Sequence, residues 1–124
     1  MSKTEQKVVK RGEQITQIYF QYLDKHINDV ISGQESEFFE INQIANQLAL
    51  SHQHLTDTIQ RETGNHPCYF YDQKIIQRAI DMLLQTDQSI AKIALILTYD
   101  PSNFSKFFKK ITGLTPGQYR IKHK

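Results

Sequence analysis

The chain has 124 residues, 39% of them apolar and 23% charged, ordinary for a globular protein and enough for one domain or two closely associated halves. No apolar run approaches the ~18–20 residues of a membrane span, and the polar N-terminus does not read as a secretory signal. Cys68 is the single cysteine, which excludes an intrachain disulfide and suits the cytoplasm. The net charge of +2 hides an asymmetry: residues 102–124 hold six basic side chains (Lys106, Lys109, Lys110, Arg120, Lys122 and Lys124) and no acidic one, leaving nine basic and thirteen acidic residues before them. One strongly basic end points to a polyanionic partner there, and Phe104, Phe107, Phe108 and Tyr119, interleaved with the charges, imply a folded surface rather than a loose tail.

In chain order, residues 1–12 are polar, lack an apolar period and read as a disordered N-terminus. From about Glu13 to Ile31 the apolar positions step by three and four (Ile15, Ile18/Tyr19, Tyr22/Leu23, His26/Ile27, Val30/Ile31), which predicts a helix ended at Ser32-Gly33. A second helix is expected from about Glu40 to Leu48, with Ile41, Ile44, Ala45 and Leu48 inward. Ser51 is a good N-cap for a third, about His52 to Thr63, which buries Leu55 and Ile59 and stops at Gly64. Two helices joined by so short a turn, with the small Ala45 where they must approach, read as a helix-turn-helix.

Pro67 opens a long fourth helix to about Gln85, whose pairs Ile75/Ile76, Ala79/Ile80 and Leu83/Leu84 recur every four residues. At its start Tyr69, Phe70 and Tyr71 read as core against the first unit. A fifth helix follows from about Ile90 to Leu97. Asp100 caps the sixth, with Pro101 at its first position and Gly113 at its end, and Thr115-Pro116 starts a short last helix. No strand signal competes, so the expected fold is all-α with seven helices.

The last third of the chain repeats an earlier stretch. Ile90, Ile93, Ala94, Leu97, Phe104, Phe108, Thr112, Gly113 and Pro116 fall, without a gap and at an offset of 49 residues, on Ile41, Ile44, Ala45, Leu48, Leu55, Ile59, Thr63, Gly64 and Pro67. A fixed-period match means one supersecondary unit used twice. A helix-turn-helix places its second helix in the major groove. With Leu55 and Ile59 inward, His52, Gln53, Thr56, Asp57 and Gln60 are left on the outer face of helix three. The offset puts Pro101, Ser102, Ser105, Lys106 and Lys109 on the matching face of helix six.

In IANQLALSHQHL, RETG, SIAKIAL and DPSNFSKFFKKITGLTPGQYR, ordered as two units with a bridging helix, the sequence resembles the AraC/XylS family of bacterial transcription regulators over about Glu37 to Arg120. The resemblance implies two homeodomain-like helix-turn-helix subdomains, residues 13–66 and 87–124, joined by a linker helix over 67–86. It implies base-facing roles for Gln53, Thr56 and Asp57 and for Ser102, Asn103, Ser105 and Lys106. His52, Arg61, Lys109 and Lys110 complete the expected DNA-binding set, with phosphates on the backbone amides near Ser51, Ser102 and Thr115. Three departures stand out. Leu97-Thr98-Tyr99-Asp100 is one residue shorter than the family's Gly-Phe turn, which bears on the angle between helices five and six. The linker helix lacks an arginine common in the family, with Ile75 and Lys74 standing in that neighbourhood. Asp57 would repel phosphate, favouring DNA only by accepting from a cytosine amine.

The expected function is sequence-specific DNA binding in transcription, with two recognition helices in adjacent major-groove segments. Double-stranded DNA is the partner and RNA polymerase a second one, in the cytoplasm at the bacterial nucleoid. The chain is expected to act as a monomer, with dimerisation left to a separate domain. The rival reading is a duplicated helical protein-interaction module. It differs in salt response, since several phosphate contacts make affinity fall steeply with salt. His52-x-His54 and His66-x-Cys68 are spaced too divergently for zinc and read as surface or capping groups, and Cys68 reads as packing. No P-loop, catalytic triad or paired carboxylates stand out, so neither an enzyme nor a cofactor is expected.

Overall fold

The fold is taken from a computed structural model that describes residues 3–124, with side chains from residue 11 onward. Seven α-helices make up the described residues: α1 Lys3–Ser32, α2 Ile41–Gln47, α3 His52–Thr63, α4 Pro67–Gln85, α5 Ile90–Ile96, α6 Pro101–Thr112 and α7 Pro116–His123. The helix expected from Glu13 starts at Lys3, so the disorder expected for residues 1–12 does not hold from Lys3 on, while residues 1 and 2 lie outside the described residues. Residues 3–12 lack an apolar period but contain no proline, and Gly12 alone does not break a helix. Gly12 is buried, and a Cβ there would run into the Glu62 side chain of α3.

The chain forms two compact units. The first comprises residues 1–25 and 39–71, the second residues 26–38 and 72–124, so α1 and α4 each contribute to both. In the first unit the buried apolar side chains are Ile15, Tyr19, Leu23, Ile41, Ile44, Ala45, Leu55, Ile59 and Tyr71. The α1 stripe runs through Ile15, Tyr19 and Leu23 rather than Ile18, which is 45% exposed. Tyr19 donates its hydroxyl hydrogen to Pro67 O at 2.8 Å, and Tyr71 does the same to Phe39 O at 2.9 Å. Of the aromatic set expected as core, Tyr71 is buried and Phe70 packs on Phe20. Tyr69 is 49% exposed, because it points off the face of α4 that Tyr71 occupies.

In the second unit Ile76, Ala79, Leu83, Ile93, Ala94, Leu97, Phe104 and Phe108 form one buried cluster. Phe38, Tyr99, Phe107 and Tyr119 pack around it, half-buried. These aromatic residues are why the basic end of the chain is folded. Rings with centroids 5–6 Å apart add to the area they bury.

The helix-turn-helix repeat is reproduced down to its hydrogen bonds. In the first copy the Leu50 amide reaches back to Ala45 O at 2.9 Å; in the second, Tyr99 reaches Ala94 O at 2.8 Å. Ala45 and Ala94 are both fully buried, where a larger side chain would force the helices apart. Each reading helix ends on a left-handed glycine, Gly64 with φ 81° and Gly113 with φ 86°. Just before it, Thr63 and Thr112 donate to Ile59 O and Phe108 O and accept from the amides of Asn65 and Leu114. The short turn at Leu97–Asp100 therefore closes as its first-copy counterpart does.

Candidate nucleic-acid interface

Ser51 starts α3 by accepting from the His54 amide at 3.0 Å. Burial of Leu55, Thr58 and Ile59 then fixes which side of α3 faces outward. His52, Gln53, Asp57 and Arg61 are exposed, as is Gln60. Gln53 Nε2 donates to Asp57 Oδ1 at 2.8 Å, one turn along the helix. Arg61 lies 3.9 Å from Glu62 Oε1, a loose pair whose guanidinium stays largely in solvent. Thr56 is half-buried, and its hydroxyl oxygen is shielded from solvent with no hydrogen-bond partner.

On α6, burial of Phe104 and Phe108 leaves Ser102, Asn103, Lys106, Lys109 and Lys110 exposed and Ser105 half-buried. Among the described residues Lys106 and Lys109 make no ion pair. Lys109 and Lys110 occupy the last turn, where cations favour the helix dipole. Lys110 also bears on Asp72 of α4. Burial raises the Asp72 carboxyl above its ordinary range, and the Lys110 charge opposes that rise. The same acid, after burial, helps push the Tyr99 hydroxyl up to about 12.

The phosphate sites expected at helix starts need correction at α6. Asp100 Oδ2 accepts from the amides of Ser102 and Asn103 at 3.1 and 3.3 Å, so the chain's own carboxylate sits where an anion was expected. At α7 the Thr115 hydroxyl accepts from the Gln118 amide, while Gln118 Oε1 accepts from the Thr115 amide in return. His66 likewise serves the start of α4, its Nδ1 accepting from the Cys68 amide at 3.0 Å.

Arg120, counted from sequence only among the basic side chains of the C-terminal end, has a structural part. It donates Nε to Leu83 O at 2.9 Å and an outer nitrogen to Thr86 O at 3.3 Å, and Lys124 adds a bond to Thr86 O at 2.7 Å. Two of the six basic residues near the C-terminus thus close the C-terminal end of α4, where carbonyls have no helical partner. Lys124 also pairs with Asp87 at 2.8 Å, which lowers the Asp87 carboxyl through that hydrogen bond and the Lys124 charge.

Two matched readers of this form, each with a buried alanine and a short turn, are accompanied by a family match: residues 44–122 fit the model of a helix-turn-helix domain. The chain belongs to the AraC/XylS-type helix-turn-helix family. It is 29% identical over 120 residues to an uncharacterised HTH-type transcriptional regulator of Haemophilus influenzae, covering 94% of this chain and 39% of that protein. It is 33% identical over 82 residues to the MmsAB operon regulatory protein of Pseudomonas aeruginosa, covering 65% of this chain and 27% of that one. Among solved structures, the C-terminal domain of AraT, a response regulator from Geobacillus stearothermophilus, superposes with a TM-score of 0.75 at 28% identity, covering 88% of this chain and 85% of that one. The chain thus spans well under half the length of the curated relatives it matches. Among the described residues no helix is long and apolar enough to cross a membrane.

Proposed function

We propose that this helix-turn-helix chain binds double-stranded DNA, with α3 and α6 each entering a major-groove segment, and regulates transcription by binding rather than by catalysis. The observation that carries this reading is the pair of reading helices, each capped, stopped and cored alike, with polar side chains on the outer face of both. In this reading the segments lie about one turn apart, on the order of 10 base pairs. Both readers sit on one chain, so a monomer serves an asymmetric site. RNA polymerase is the further partner that regulation at a promoter implies, and the cytoplasmic nucleoid is the place of action.

The two readers divide the work by charge. On α6, Lys106, Lys109 and Lys110 face no acid on their own helix beyond the cap at Asp100, so this unit supplies most of the sequence-independent attraction to phosphate. On α3, Arg61 stands against Asp57 and Glu62, so this unit contributes mainly base selection.

Fluorescence anisotropy on a random-sequence duplex, titrated with salt, tests the reading. Log affinity should fall linearly with log salt, and the slope should flatten by about two to three in the Lys106/Lys109/Lys110→Ala variant. Lys106→Ala should weaken binding, whereas Asp57→Ala should not. No binding at low salt overturns the reading in favour of a protein partner, and a larger loss from Asp57→Ala than from Lys106→Ala overturns the division of work between the two readers.

A further inference from the structure

The hydrogen bond between Gln53 and Asp57 bears on what α3 reads. Both residues are exposed, and they lie four apart, so they stack on one face of the helix. A carboxylate only accepts hydrogen bonds, so Gln53 must turn its amino group, not its carbonyl, toward Asp57. That settles the orientation of the Gln53 amide. The amino group has two N–H bonds and Asp57 Oδ1 takes one of them at 2.8 Å. What remains is the carbonyl oxygen as acceptor and one N–H as donor.

An acceptor beside a donor complements the major-groove edge of adenine, which offers the N6 amine as donor and N7 as acceptor. We propose that Gln53 reads an adenine in the segment entered by α3, and that Asp57 is the residue that positions its amide. Gln53 Oε1 accepts from N6, and the remaining Gln53 N–H donates to N7. Asp57 contributes in two ways. It holds in advance a flexible side chain whose ordering would otherwise oppose binding. Its charge also repels phosphate, so α3 gains little from sliding against a backbone. In this proposal Asp57 supports Gln53 through Oδ1 rather than reading a cytosine itself.

The inference rests on the DNA-binding reading above and can fail separately from it. The test is selection of bound duplexes from a randomised pool by the 124-residue chain and by its Gln53→Ala, Asp57→Ala and Asp57→Asn variants. Wild type should enrich one A·T pair in the part of the site that changes when α3 is altered. Gln53→Ala should lower the preference there about 5- to 150-fold, the value of a bidentate base contact. Asp57→Ala should weaken the same preference without weakening binding to non-cognate duplex. Asp57→Asn should preserve it, because the asparagine carbonyl accepts the same N–H. A merely repulsive Asp57 would make the Asn and Ala variants alike, which overturns the positioning role. A lost preference for C·G in Asp57→Ala, with adenine selection intact, overturns the assignment to Gln53. Binding to all duplexes alike overturns the inference and leaves the DNA-binding reading standing; no binding at low salt overturns both. All variants lie on the exposed face, so circular dichroism matching wild type is expected and separates misfolding from lost recognition.

Discussion

Ala49 and Thr98 adopt the same left-handed backbone, with φ of 57° and 61°, at equivalent points in the two helix-turn-helix turns. Neither is glycine, the residue that takes this conformation without steric cost. The turn geometry needs the left-handed residue so that the next amide can reach the alanine carbonyl behind it, Leu50 to Ala45 and Tyr99 to Ala94. The strain is therefore imposed by the unit, and the β-branched Thr98 bears more of it.

Thr98→Gly should accordingly stabilise the protein. Relief of left-handed strain, about 1–3 kcal/mol, exceeds the gain in unfolded-chain entropy, about 0.4–1 kcal/mol, and the exposed threonine side chain loses no packing. A net gain near 1 kcal/mol is expected, with less for Ala49→Gly, which carries no β-branch. Urea midpoints of the two variants check this, and a loss at Thr98 would mean that the threonine makes a compensating contact.

The buried hydroxyl of Thr58 gives a second handle. Thr58 is 1% exposed and its oxygen has no hydrogen-bond partner. A buried unsatisfied hydroxyl costs about 1–3 kcal/mol, so the near-isosteric Thr58→Val should stabilise by about 1 kcal/mol. The unfolding midpoint should rise with no change in the denaturant slope. Because Thr58 lies on the inner side of α3, DNA affinity should stay the same.

Arg120 should matter for stability rather than for DNA. Its two bonds reach carbonyls at the C-terminal end of α4, where a cation also meets the negative end of the helix dipole. Arg120→Ala should cost about 1.5–3 kcal/mol, the range for hydrogen bonds made by charged groups. Lysine should restore only part of this, since it lacks the planar fork that serves both carbonyls. The salt slope of DNA binding should be nearly the same in all three proteins. A slope flattened by Arg120→Ala would instead place the guanidinium at the phosphates.

These features differ in how plainly the residues announce them. Helices α2 to α7 were legible to within about one residue because each carries its own punctuation, such as Ser51, Asp100-Pro101, Gly64 and Gly113. The reading faces were legible because Leu55/Ile59 and Phe104/Phe108 fix the inward side by helical period. The left-handed turn residues were not, since alanine and threonine give no sign of positive φ. Nor was the shielded hydroxyl of Thr56, which helical spacing does not announce. The Gln53–Asp57 bond was within reach, as the four-residue spacing permits it. The bonds of Arg120 join residues more than thirty apart and leave no periodic trace. The start of α1 was not legible, because residues 3–12 carry no apolar stripe to announce a helix.

Tyr99 makes the fold sensitive to alkali. Burial, and secondarily the nearby Asp72 charge, raise its hydroxyl from the ordinary value of 10.0 to about 12. The sign follows from which state ionises first. Below pH 10 the hydroxyl is neutral in both folded and unfolded chains and its contribution is intact. As pH rises from 10 toward 12 the unfolded chain loses the proton while the folded one keeps it, so stability falls with pH across that window. Tyr99→Phe should remove this part of the slope. Asp72→Asn should move the folded titration back toward 10.0 without abolishing it, because burial is the larger cause. Urea midpoints measured across the alkaline range, alongside ultraviolet titration of tyrosinate, separate these outcomes. A wild-type slope matched by Tyr99→Phe would assign the alkaline loss to another group. Phe107, stacked on Tyr99 with centroids 5.4 Å apart and an interplanar angle of 20°, should keep a phenylalanine in place, so the substitution tests the hydroxyl and little else.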